Sequence, residues 1–109
     1  MIIKKISNGE CSKKELFELM ESNHPLIIYH VLHQIGELEY KDDKIVEKLV
    51  SISNKRDFSK YKIIGIYTIG DLAMATLMKL RINLNDLEEY IKLSSVEKED
   101  ILNLFKEIW

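Results

Sequence analysis

The phrase Ile35-Gly36-Glu37-Leu38 returns as Ile69-Gly70-Asp71-Leu72, 34 residues further along the chain, each copy at the end of an apolar stretch with helical spacing. No other feature restricts the fold as much. A helical hairpin of roughly this length cannot bury its apolar face alone and must stack on neighbours of the same kind. The spacing therefore predicts stacked helix pairs, with the phrase closing the first helix of each pair.

Local signals agree with helices. Ser12 and Glu15 have the spacing of a capping box, ahead of a stripe made by Leu16, Leu19 and Met20 that stops near Ser22-Asn23. Pro25 suits the first turn of a helix carrying Ile28, Val31, Leu32 and Ile35, for which Gly36 is the expected stop. Asp42 or Asp43 can cap the next helix, whose apolar side is Ile45, Val46, Leu49, Val50 and Ile52. After the break at Ser53-Asn54-Lys55-Arg56-Asp57, residues Ile63, Ile64, Ile66, Tyr67 and Ile69 are expected to form the opening helix of a second pair. Gly70 would close it and Asp71 would cap its successor. Few polar side chains interrupt the stretch from Ile63 to Leu80, so this pair is expected at the centre of the stack, covered from both sides. Asn83 or Asn85 then caps a short helix with Leu87, Tyr90 and Ile91. Ser94 with Glu97 makes another capping box before Ile101, Leu102, Leu104, Phe105 and Ile108.

Over His24 to Leu38 and Tyr61 to Leu80 these residues resemble the HEAT-like repeat family, in which a first helix ends in a Gly-acidic phrase and a second is rich in small and aliphatic residues. Lys48-Leu49 and Lys79-Leu80 echo each other in the second helices. The arginine that the family carries early in its first helix is replaced here by Ile28 and Lys62. The resemblance implies an all-α fold, a short right-handed α-α superhelix of about three HEAT-like hairpins. Residues 1–109 would form a single domain, with clear repeats at about 23–55 and 57–82 and degenerate ends at 1–22 and 83–109. It also implies scaffold or partner-binding work through the second helices, which points to Lys44, Glu47, Lys48, Ser51, Thr76 and Lys79. Small members of the family include proteins that neutralise a toxin and enzymes that act on pigments, proteins or nucleic acid.

Composition narrows the partners. The 16 basic residues face 18 acidic ones, and only Arg56 and Arg81 are arginines, so the forked donors favoured for phosphate are scarce and nucleic acid is not an expected partner. The run Asp86, Glu88, Glu89, Glu97, Glu99 and Asp100 offers a negative face to a basic protein, although a solvated helix surface is the plainer reading. No apolar run approaches the roughly 18 residues of a membrane span. Cys11 is the lone cysteine, without a neighbouring His, and the first residues lack a secretory pattern. A reducing cytoplasm and an unreactive, half-exposed thiol are expected.

His30, His33 and Glu37 fall at offsets that place them on one side of a helix, opposite Ile28, Leu32 and Ile35. Two imidazoles and a carboxylate are a donor set that zinc or iron accepts. Exposed or interface histidines are the plainer reading, and neither a metal nor a cofactor is called for. Glu37 and Asp71 read as helix-capping carboxylates rather than as a general acid and base. No serine or cysteine beside a base, glycine-rich phosphate loop or paired-cysteine signature occurs. The expected function is a non-enzymatic protein-protein interaction module in the cytoplasm, in its sharper form an immunity or antitoxin-type protein with a basic partner. The alternative is a small HEAT-like enzyme or lyase-type accessory protein using the His30, His33 and Glu37 face.

Overall fold

Helix α1 (Ile2–Ser7) opens the chain in the computed structural model, which describes residues 2–109 and, for Ile64, the backbone alone. It is followed by α2 (Lys13–Leu19), α3 (Pro25–Glu37) and α4 (Asp43–Ile52). A short α5 (Phe58–Tyr61) then leads into an antiparallel hairpin of β1 (Lys62–Ile64) and β2 (Tyr67–Thr68). The remainder is α6 (Ile69–Lys79), a 3-10 turn (Leu84–Asp86), α7 (Glu88–Ile91) and α8 (Ser95–Ile108). The chain is therefore mostly helical, as its periodicity predicts.

The helix starts are written in side chains. Reciprocal capping boxes open α2 (Ser12 with Glu15), α6 (Thr68 with Asp71) and α8 (Ser94 with Glu97), and Asp42 accepts from the Ile45 N–H at 2.9 Å to start α4. Each such cap stabilises its helix by about 1 kcal/mol. Three of the helix ends share one backbone device. A left-handed residue follows α1 at Gly9 (φ 73°), α3 at Glu39 (φ 53°) and α6 at Arg81 (φ 64°). The next N–H in each case closes a wide turn, Glu10 to Lys5, Tyr40 to Ile35 and Ile82 to Leu77. Helix α3 thus runs past Gly36, which is not its stop; the left-handed position falls to Glu39, at a cost of about 1 kcal/mol relative to glycine.

The larger departure lies at 62–68, where the expected opening helix of a second pair is a β-hairpin. Gly65 takes φ 52° at its turn, a conformation a helix excludes, and β-branched and aromatic residues on either side favour extended backbone. A short run that is apolar on all sides has no periodicity with which to separate strand from buried helix. The two Gly phrases consequently sit in different settings. Gly36 lies near the end of α3, and Gly70 lies in the first turn of α6. Their 34-residue spacing does not mark equivalent places in two hairpins.

Helix α6 is the hub. From Ile69 to Leu77 every residue is buried, and α3, α4 and α8 all pack against it, while α1 and α2 pack on α3. Its inner surface alternates Leu72, Met74 and Leu77 with Gly70, Ala73 and Ala75, the small residues letting neighbouring backbones approach. Burying each large aliphatic side chain here contributes about 1.5–3 kcal/mol. Of the stretch from Ile63 to Leu80 expected at the centre, the part that forms α6 is enclosed, while the part before it is a hairpin with Ile66 exposed.

Arg56, in the connection after α4, ties the hub to α8. Its Nε and Nη2 donate to Asp71 Oδ1 at 3.0 and 2.8 Å, and its Nη1 donates to Glu97 Oε2 at 2.9 Å. Asp71 Oδ2 meanwhile accepts from the Thr68 N–H at 3.0 Å. One guanidinium therefore joins the carboxylates of two capping boxes. Burial works against the Arg56 charge, but its hydrogen bonds to Asp71 and Glu97 outweigh this and raise its pKa. The Ser94 N–H, and then Arg56, hold the Glu97 carboxyl below its ordinary value. Gly70 makes the approach possible: its N–H donates to Lys55 O at 2.9 Å, and a Cβ there would lie 2.5 Å from Arg56 Cγ and 2.6 Å from Ser53 O.

Arg56→Ala is expected to destabilise the protein by about 3 kcal/mol in urea titration, because the Asp71 carboxylate stays buried without its partner. Arg56→Lys should recover less than half of the loss, since a lysine cannot reach both carboxylates with a fork. A second expectation concerns acid. Glu15 accepts from Lys5 Nζ at 2.7 Å and from the Ser12 N–H at 3.0 Å, and Lys5 first, then Ser12, lower its pKa to about 2. The unfolded chain takes up that proton near 4.5 and the folded one only near 2, so stability falls as pH drops through this window. Glu15→Gln should flatten that part of the stability-pH curve, measured by denaturant midpoint.

Candidate functional site

The outer face expected to bind a partner is split by the fold. On α4, Lys44, Glu47 and Ser51 are exposed, and Lys48 is half-buried in an ion pair with Glu21 of the α2–α3 connection. Thr76 does not belong with them. It is fully buried, donating its hydroxyl to Leu72 O at 2.8 Å, because α6 is enclosed by three other helices and has no wet side at that position. Lys79, the last residue of the same helix, is only partly exposed.

Lys44 instead joins a groove that the sequence did not single out. Lys13, Lys14, Phe17 and Glu18 of α2 face Asp42, Lys44 and Ile45 at the start of α4 across a cleft of about 490 Å³. Ile45 is buried and Phe17 partly so, which makes the floor apolar and the rim charged. Lys13 is held there, paired with Asp42 at 3.0 Å and lying 5.7 Å over the Tyr40 ring. Ile45 Cα is fixed in turn by the Asp42 cap on its N–H, so the cleft is built on the first turn of a helix. The amphipathic pattern of α2 was legible; that its Phe17 would face the start of α4 required the chain to turn back at 20–42.

His30, His33 and Glu37 do share one side of α3, where with Ser7, Tyr29 and Gln34 they line a second cavity of about 340 Å³. Their duties differ. The His33 ring lies between Tyr29 and Trp109, 6.1 Å and 5.4 Å from their ring centres and nearly parallel to both, and its Nε2 donates to Ile108 O at 3.1 Å. His33 thus anchors the end of α8 to α3. Gln34 is engaged as well, donating to Ile6 O at 3.0 Å and holding α1. Among the described residues no three His, Cys, Asp or Glu side chains come together as a metal-holding group. Glu37, the last residue of α3, is exposed and caps no helix, whereas Asp71 lies inside α6 and closes the capping box whose N-cap is Thr68, so it does not start a helix after Gly70.

Gly36 finds its role here. The Trp109 indole lies against it so closely that a Cβ would overlap the ring. The indole Nε1 is buried and lacks a hydrogen-bond partner among the described residues, a cost accepted for the stacking on His33 and Phe105. Cys11 is buried rather than half-exposed, and burial pushes its thiol up, away from reactivity.

Among the described residues no helix is long and apolar enough to cross a membrane. Compared with protein-family models, curated proteins and solved structures, the chain matches none of them. Function has to be read from these faces themselves.

Gly36→Ala should displace the indole and destabilise the fold by about 1–3 kcal/mol. Since Trp109 is the sole tryptophan, the displacement is expected as a red-shifted, more readily quenched emission spectrum. An unchanged spectrum would mean that the ring is not seated on α3.

Proposed function

We propose that this chain is a non-enzymatic protein-interaction module that receives an amphipathic segment of a partner protein in the cleft between α2 and α4. The observation that carries the reading is the cleft's composition: an apolar floor of Phe17 and Ile45 inside a rim of Lys13, Lys14, Glu18, Asp42 and Lys44. An aromatic anchor ringed by charges is the usual make-up of a binding hot spot with its polar border. Lys44, Glu47 and Ser51 extend that border along the exposed face of α4. The reading rests on these faces and not on the HEAT-like resemblance, whose second copy begins in a β-hairpin.

The immunity or antitoxin version of this reading adds a basic partner. Its support is the carboxylate run from Asp86 to Asp100, where Asp86, Glu88 and Glu99 are exposed and Lys92 meets Glu88 and Glu89 only at 3.5 and 3.9 Å. Such a face steers a basic protein toward the surface more than it holds it. A cytoplasmic setting belongs to the same proposal, supported by a buried thiol that forms no disulfide.

A second reading has an observation of its own. The cavity beside His30, His33, Glu37, Tyr29 and Ser7 is a concave site of about 340 Å³ with hydrogen-bonding walls, the form a small-molecule or enzyme site takes. With His33 committed to Ile108, its chemistry would fall to His30 and Glu37.

The test is to recover the protein with its partner from the native host, identify that partner, and measure the purified pair by calorimetry. Phe17→Asp and Lys44→Glu are expected to weaken binding by about a hundredfold and tenfold respectively. His30→Ala should leave it unchanged. Loss of binding in His30→Ala with the α2–α4 variants unaffected would move the function to the second cavity.

A further inference from the structure

The hairpin and the short helix before it carry an exposed, basic and aromatic surface that neither cavity uses. Phe58 is 48% exposed and Ile66 63%, both far above what an internally packed hairpin needs. Ile66 is held out at the turn by Gly65, whose φ of 52° sets the bend and which has open space where a Cβ would stand. Helix α5 lies against β2, so Phe58 and the hairpin belong to one segment, whose strands pack on α3 and α6.

Lysines lie over the aromatic rings of this segment. Lys62 Nζ lies 5.5 Å over the Phe58 ring, and Lys55 Nζ lies 5.8 Å over the Tyr61 ring while donating to Asn23 Oδ1 at 3.0 Å. Lys60 is exposed between them. Among the described residues none of the three pairs with a carboxylate. Between Ser53 and Gly70 the one acidic residue is Asp57, whose Oδ1 accepts from the Ser59 N–H and hydroxyl at 3.0 and 2.7 Å, and its single negative charge is outnumbered by the three lysines. The surface is positive on a chain whose net charge is −2.

We infer that the exposed face of this segment is a second docking surface, separate from the α2–α4 cleft, for an acidic segment of a protein that presents an apolar side chain between carboxylates. Charge complementarity names the carboxylates: Lys60, exposed, and Lys62, resting on the Phe58 ring, pair with no carboxylate among the described residues and can swing to meet one with little desolvation to overcome. The exposed Phe58 and Ile66 name the apolar side chain, which would cover them. A nucleic acid fits less well. Arg56, the forked donor of this segment, is turned inward to Asp71 and Glu97, and three lysines supply little of the counterion release on which such binding depends.

The probe is a short synthetic peptide in which a Leu-Phe pair is flanked by Asp and Glu, titrated into the isotope-labelled full chain and followed by NMR. A matched peptide with Lys for each acid and a single-stranded RNA oligonucleotide serve as comparisons. Shifts confined to the amides of residues 55–68 with the acidic peptide, weakened by salt, are expected. Lys60→Glu with Lys62→Glu should weaken that binding by at least about tenfold, as should Ile66→Ser, while Lys44→Glu in the cleft leaves it unchanged. Circular dichroism of each variant checks that the fold persists. Equal response to the basic peptide, tighter binding of the RNA at the same amides, shifts centred on the α2–α4 cleft, or no response at millimolar peptide would each overturn the inference.

Discussion

The Arg56 guanidinium fixes the geometry on which the other contacts depend. Each capping box by itself only starts a helix, and its carboxylate is indifferent to what lies beyond the first turn. By donating to Asp71 and Glu97 together, Arg56 sets the start of α6 beside the start of α8 and draws the segment after α4 over both. The arrangement depends on Gly70, since any side chain there would meet Arg56 and the Ser53 carbonyl. A charge placed this deep stabilises chiefly through its geometry: mispaired, it would cost more than it contributes, so few alternative packings of these helices are tolerable.

The hub follows from that anchor. Once α6 is fixed at its N-terminus, its small residues admit α3, α4 and α8 on different sides, and its large ones fill the spaces between. The far end of α8 is then secured separately, by Trp109 on Gly36 and by His33 on Ile108. Helix α8 is held at both ends by different chemistry, an ion pair at the start and an aromatic stack at the finish. Surfaces left over from this packing include the α2–α4 cleft, the cavity along α3 and the exposed side of the hairpin.

Much of the local structure was legible. Ser12 with Glu15, Ser94 with Glu97, Asp42 and Pro25 all act where their spacing puts them, because a cap is made within one turn of chain and needs nothing distant. Local spacing says nothing of contacts that identical residue types make with distant parts of the chain. Gly36 looked like a helix stop and is instead the seat of Trp109, while Gly70 looked the same and is the gap through which Arg56 passes. Thr76 looked like a polar residue on a wet face and is enclosed, its hydroxyl satisfied by the carbonyl one turn back.

Sequence by itself determined that the chain would be mostly helical and where α2, α3, α4 and α8 begin, since those outcomes depend on hydrophobic period and on hydrogen bonds closed within a few residues. Tertiary structure alone decided that residues 62–68 turn as a hairpin, which residues Arg56 and Trp109 reach, and which polar side chains remain outside. Those outcomes depend on pairings between positions far apart in the chain, and a linear pattern carries no record of which distant groups will meet.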